Sequence, residues 1–305
     1  MSDIRLFRLQ PEAVQELPGT SVAVEKSLQT LIERHLEALL GVRFLASEHS
    51  TGKNHRGRID TLGIDENNRP VIIEYKRALN QNVINQGLYY LNWLMDHKAD
   101  LKFLVLDRLG RDVADLIEWG SPRLLCIAGD FTKFDEEAIQ QIPRNIELIR
   151  YRRYGDDLLL FELVNATAVE PIDEASEGDG VSKPKAAYKT VTEQLAQAPA
   201  ALQDHYAALD AFLMALGDDV QLNTLKYYLA YKRIKNFACV EIRSQNQRLL
   251  VYAKIDPDTV ALEQGFTRDI RNVGHFGTGD LEITIANAGD LERAKPLLAK
   301  SYEAS

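Results

Sequence analysis

Three residues stand out for what their side chains could do together: Asp60, Glu74 and Lys76, in the stretch GRIDTLGIDENNRPVIIEYKR that occupies residues 57–77. Two carboxylates at close range repel each other and jointly bind a hard divalent cation through oxygen ligands. An amine beside that cation can hold or deprotonate a water and stabilise negative charge developing on a phosphate, as phosphodiester hydrolysis requires. The trio could therefore carry out metal-dependent cleavage of a phosphodiester. The same string also suits a cross-strand charge cluster on a solvated sheet face, and spacing by itself favours that plainer reading.

The elements around the trio decide whether its members meet. Residues 58–64 and 71–75 are strand formers flanking Asp65-Glu66-Asn67-Asn68-Arg69-Pro70, a run of turn formers and charges, so a β-hairpin is expected. With the turn centred near Asn67, Asp60 lies opposite Glu74 on one face, Lys76 shares that face, and Ile59, Ile73 and Tyr75 point into a core. Residues 21–40 have helical periodicity, with Leu28, Leu31, Ile32, Leu36 and Leu39 ahead of Gly41. Glu25 and Glu33 both fall on this helix, roughly 80° apart around its axis, and either could reach the hairpin. Residues 80–97 predict a second helix carrying Gln86, Tyr89 and Tyr90. Strands are expected at 42–48, 103–106 and 124–128, helices at 107–119 and 134–142, and a closing hairpin from 147–151 and 158–164.

The segments GRIDTLG, VIIEYKR and NQNVINQGLYYL resemble the PD-(D/E)xK nuclease superfamily, in particular its branch of archaeal mismatch-specific endonucleases, over about residues 24–107. The resemblance implies that Asp60 and Glu74 ligate Mg²⁺ or Mn²⁺ and that Lys76 assists the attacking water. It places a further metal-binding glutamate in the first helix, where Glu25 matches, and a glutamine after the motif, where Gln86 matches. Ile59 replaces the proline that usually precedes the aspartate, a departure common in this branch. The implied fold is α/β (α+β): a restriction-endonuclease-like mixed sheet flanked by helices. The implied substrate is DNA, cut in repair or in defence against foreign DNA, and related nucleases often act as homodimers. The alternative is a nuclease-like module that has kept only binding.

A formal charge of −9 opposes a simple nucleic-acid binder, since phosphate affinity comes largely from lysine and arginine. Local distribution can reverse that. Lys53, His55, Arg56 and Arg58 crowd the approach to the motif and Arg77 closes it, so Lys53, Arg56, Arg58, Arg77 and the nearby Tyr90 are the expected nucleic-acid contacts. Arg144, Arg150, Arg152 and Arg153 form a second basic cluster. Cys126 and Cys239 lie in separate apolar runs and read as buried thiols, which fits a reducing cytoplasm. No stretch approaches eighteen apolar residues, so neither membrane spanning nor transport is supported.

Composition shifts at 168–189, where large apolar residues are few, so a flexible linker at 169–187 is expected between a nuclease-like domain (1–168) and a smaller α+β domain (188–305). The latter resembles a small domain of unknown function described as a predicted transport protein and found fused to nuclease-like modules. Its segment LKYYLAYKRIKNF mixes cations with aromatics, which suits single-stranded nucleic acid and suits equally a helix that buries its tyrosines and extends its lysines to solvent. The loop Gly274-His275-Phe276-Gly277-Thr278-Gly279 precedes a strand rather than a helix, so it lacks the helix N-terminus that phosphate loops use.

Overall fold

The computed structural model of the chain describes residues 4–20, 25–76, 83–167 and 189–305. The chain divides into two compact units, Met1–Val169 and Glu170–Ser305, and the linker expected at 169–187 lies outside the described residues. Both units are mixed α/β.

Residues 4–18 make an exposed ribbon of two antiparallel strands, β1 (Leu6–Gln10) and β2 (Ala13–Leu17). A short β3 (Gly19–Thr20) follows. The helical stretch is two helices, α1 (Glu25–Arg34) and α2 (Leu36–Leu40). Gly41 ends the second in the left-handed conformation, φ +64°, its N–H donating to the Glu37 carbonyl, a geometry that other residues adopt only with strain. Next come β4 (Val42–Ser50), the single turn α3 (Gly52–His55), β5 (Arg58–Asp65) and β6 (Pro70–Lys76). Then follow α4 (Val83–Asp96), α5 (Lys98–Leu109), α6 (Arg111–Asp115), β7 (Arg123–Ala128), α7 (Lys133–Gln140), β8 (Asn145–Tyr154) and β9 (Leu158–Thr167).

The main sheet runs β3-β8-β7-β6-β5-β4, with β9 also on β8. The pairs β6–β7 and β7–β8 are parallel and the others antiparallel. β6 is therefore central, and its Val71 to Tyr75 run is buried on both faces, as a strand covered from both sides must be. This corrects the expectation of one apolar and one solvated face. The face that carries Asp60 and Glu74 also carries Leu62, Ile64 and Ile72, which join Val83, Ile84, Leu91 and Leu94 of α4 in one core. Helix α1 packs on β5 and β6, with Leu28 and Ile32 buried.

At its closed end the hairpin is fastened by charge. The Asp65 Oδ1 accepts the N–H groups of Asn67 and Arg69, each at 2.8 Å, and its Oδ2 accepts Arg69 Nε and Arg123 Nη1, each at 2.9 Å. Arg123 reaches on to Glu147 with two bonds. All four charged side chains are buried. Burial pushes the Asp65 carboxyl up, but Arg69 and Arg123 more than offset this and hold it down at about 2.

Residues 103–106 are not a strand. They belong to helix α5, which buries Leu101 and Val105 four apart and leaves Phe103 exposed. In the second unit, α8 (Val191–Ala196) and α9 (Ala200–Met214) precede β10 (Gln221–Thr224), β11 (Leu229–Lys232), β12 (Asn236–Arg243), β13 (Arg248–Ala253), β14 (Thr267–Asp269), β15 (Leu281–Ile285) and α10 (Ala288–Glu303). The sheet is antiparallel in the order β10-β11-β12-β13-β15-β14, with the helices over one face. The basic-aromatic segment falls on strands: Tyr228, Tyr231, Lys232 and Phe237 are buried, which removes them from any nucleic-acid surface. The glycine-rich loop closes over the sheet, the Phe276 N–H donating to Glu241 Oε1 and the Thr278 N–H to Cys239 Sγ. Cys126 and Cys239 are free and buried. Among the described residues no helix is long and apolar enough to cross a membrane.

Candidate active site

The hairpin register is the expected one, Thr61 facing Ile73 and Leu62 facing Ile72. Beyond that point side chains replace the ladder. The Tyr75 N–H donates to Asp60 Oδ2 at 3.0 Å, and the Asp60 N–H donates to Glu74 Oε1 at 3.2 Å. Each carboxylate thus bonds to the backbone of the opposite strand, and the two are held crosswise between β5 and β6. The place is the carboxyl end of the parallel strands β6 and β7, where open α/β sheets form their binding crevices.

Glu74 is fully buried, and its Oε2 receives no hydrogen bond from any described residue. Burial first, and repulsion from Asp60 second, push its carboxyl up to about 9. Lys76, half-buried two residues further along, is close enough to oppose that rise.

Helix α1 supplies a buried amide. Gln29 Nε2 donates to the Asp60 carbonyl at 2.7 Å and to Glu33 Oε1 at 2.9 Å. Glu33 in turn accepts the Thr61 hydroxyl at 2.6 Å, which turns it away from the carboxylate pair. The backbone of Glu25 opens α1 one turn before Gln29, and its side chain lies outside the described residues. Gln29 is missed by the sequence reading; a single glutamine on a helix carries no mark that it is buried, as this one is.

From α4, Gln86 Nε2 donates to the Tyr90 hydroxyl at 3.3 Å, and that hydroxyl accepts the Arg58 N–H at 3.1 Å. Gln86 therefore acts on the start of β5, two residues from Asp60. Tyr90, expected to contact nucleic acid, is only 6% exposed and packs over Gly57, where a Cβ would stand 2.4 Å from its ring. Tyr89 is the exposed neighbour, its ring tilted against His55. Lys53, Arg56 and Arg58 are exposed, as a nucleic-acid contact needs, while Arg77 lies outside the described residues. In the second basic cluster Arg150 is buried between Asp130 and Glu162, at 2.7 and 2.8 Å, so its charge is spent inside the fold.

The donor set suits a divalent cation. Among the described residues no third acidic, histidine or cysteine side chain completes a ligand cluster with Asp60 and Glu74. Mg²⁺ asks for no more, since it keeps several waters and takes one or two carboxylates together with substrate phosphate. The orphaned Glu74 Oε2 is what a cation held by Asp60 and Glu74 would satisfy, and its positive charge would reverse the cause of the raised pKa.

Residues 191–305 match the family model described as a domain of unknown function, DUF5655. Over nearly its whole length the chain is similar to a Haemophilus influenzae protein described as uncharacterized, 29% identical over 312 residues that cover 98% of this chain and 100% of that one. Among solved structures, a repair endonuclease from Pyrococcus abyssi is similar at a TM-score of 0.29 and 16% identity, over 45% of this chain and 50% of that one. The chain thus spans half of that structure's length, and a likeness so loose defines neither fold nor activity.

Proposed function

We propose that the N-terminal unit is a Mg²⁺- or Mn²⁺-dependent nuclease of the PD-(D/E)xK kind that hydrolyses phosphodiester bonds of DNA, in repair or in defence against foreign DNA. The observation that carries this reading is the Glu74 carboxyl, wholly buried beside Asp60 with one oxygen unpartnered. A buried acid with an orphaned oxygen is destabilising unless a cation or a proton answers it.

Asp60 and Glu74 would hold the metal, with Glu25 as a further ligand. When bound, the cation supplies Lewis-acid polarisation of a phosphate oxygen and lowers the pKa of a coordinated water. Lys76 brings an ammonium to the same place, where it offsets negative charge on the phosphate and holds the attacking water. Gln86 positions rather than reacts, working through Tyr90 on the strand that carries Asp60. Lys53, Arg56 and Arg58 line the approach for the DNA backbone. A homodimer would offer two such sites, one to each strand of a duplex.

The test is cleavage of a panel of duplex, mismatched, flapped and single-stranded DNA by the full chain, with Mg²⁺ or Mn²⁺ and with EDTA. Cutting should require metal and vanish in Glu74→Gln; cutting that survives the substitution counts against the reading. One observation favours a second reading, a non-catalytic binding module: a carboxyl titrating near 9 can stay neutral at pH 7 with no cation at all. That reading predicts no cutting of any substrate and no stabilisation by metal.

A further inference from the structure

Beside the carboxylate pair, two cations share one acidic partner. Lys26 Nζ stands 2.7 Å from Glu48 Oε1, and Arg58 Nε stands 2.8 Å from Glu48 Oε2. Glu48 belongs to β4, between the paired positions Ser47–Thr61 and His49–Ile59, which sets it level with Asp60 on the neighbouring strand. Its φ is +53°, a left-handed backbone inside a strand, and a long side chain keeps that conformation only where its surroundings impose it. Such strain clusters where a side chain must be presented rather than packed. The two cationic side chains are 56% and 66% exposed and the Glu48 side chain 32%, so solvent reaches all three.

Glu48 is stabilised by its two cations, which hold its carboxyl below the ordinary range, and is at the same time unfavourable to its neighbour. Glu48 adds a third acid within electrostatic reach of Glu74, and it occupies both Lys26 and Arg58. A carboxylate offers lysine and arginine two oxygens carrying one negative charge, and a backbone phosphodiester offers the same. We propose that Lys26 and Arg58 form a phosphate-binding pair which Glu48 occupies in the free protein and yields to a phosphate of the polynucleotide. Glu48 is then an internal mimic of the substrate phosphate, and its displacement is what admits DNA to Asp60 and Glu74. This rests on the nuclease reading for the identity of the ligand, while the exchange of carboxylate for phosphate can be measured without cleavage.

The experiment is fluorescence anisotropy of labelled duplex and single-stranded DNA with the full chain in EDTA, over a range of KCl concentrations, with inorganic phosphate titrated separately. Glu48→Gln removes the competing charge. Glu48→Gly removes the side chain and relieves the backbone, so it keeps the fold. Both should bind DNA about tenfold tighter, with a salt dependence steeper by roughly one to two released ions. Adding Lys26→Ala or Arg58→Ala to Glu48→Gln should return affinity to the wild-type value or below. Binding that is unchanged or weaker in both Glu48 variants overturns the proposal, as does indifference of Glu48→Gln to loss of either cation. A gain confined to inorganic phosphate overturns the assignment to a polynucleotide. Tighter DNA binding by the Glu48 variants without cutting under any metal upholds the phosphate pair and removes the nuclease reading.

Discussion

Replacing Glu74 by glutamine should make the metal-free protein more stable, the reverse of what deleting a buried polar partner usually does. The folded carboxyl titrates at about 9 against an ordinary 4.5, so the fold opposes its ionisation. The stability this group allows is therefore complete below pH 4.5 and is lost as pH rises through the range up to about 9. Each pH unit above the ordinary value costs about 1.4 kcal/mol, which makes the penalty about 3 kcal/mol at pH 7. Glutamine keeps an oxygen to accept the Asp60 N–H, and its amide nitrogen replaces the orphaned Oε2 with a donor beside a carboxylate. For a unit of this size the gain is a rise in Tm of roughly 5–10 °C. Both tryptophans, Trp93 and Trp119, lie in the N-terminal unit, so their fluorescence follows that unit's unfolding. Saturating Mg²⁺ or Mn²⁺ should recover about 2–3 kcal/mol for the wild type and close to nothing for Glu74→Gln. A variant that melts below the wild type in EDTA at pH 7, together with a wild type indifferent to metal, would refute the reasoning.

Two further outcomes follow from neighbouring structure. Arg123→Met leaves Asp65 and Glu147 buried without their shared partner and should cost about 3–5 kcal/mol in urea unfolding. In the wild type the contribution of Asp65 is present above its ordinary pKa of 3.8 and fades as pH falls toward 2, so acid titration should show a loss in that window that is smaller in the variant, where Arg69 alone remains. Tyr90→Phe removes the oxygen that accepts the Arg58 N–H and should lower stability by about 1–2 kcal/mol. It should also slow cleavage without changing DNA affinity, as measured by single-turnover assays against anisotropy.

The hairpin was readable because its information is local. Turn formers fix the connection, alternation fixes the faces, and the pairing of Thr61 with Ile73 follows from both. Burial of the charged face was not readable, because the neighbour that makes β6 central is β7, some fifty residues later and parallel. Within helix α5, residues 103–106 read as a strand because a short apolar run has no period of its own, and Phe103, 71% exposed, adds apolar character without marking a core. The segment at 225–237 is opaque for a similar reason: its strands lie inside the sheet and are buried on both faces, lysine included, and composition cannot report that. Glu48 left no sequence trace, since a left-handed glutamate inside a strand goes against the backbone preference of its type.

The two ends of the hairpin differ in what fastens them, and that difference has a mechanical consequence. One end is riveted by Asp65, Arg69, Arg123 and Glu147, whereas at the other the ladder yields to side chains around Asp60 and Glu74. Thermal opening should therefore travel inward from the Asp60 end alone. Amide protons of Asp60 and Tyr75 should exchange with deuterium well before those of Ile64 and Arg69, and a bound cation should slow only the former.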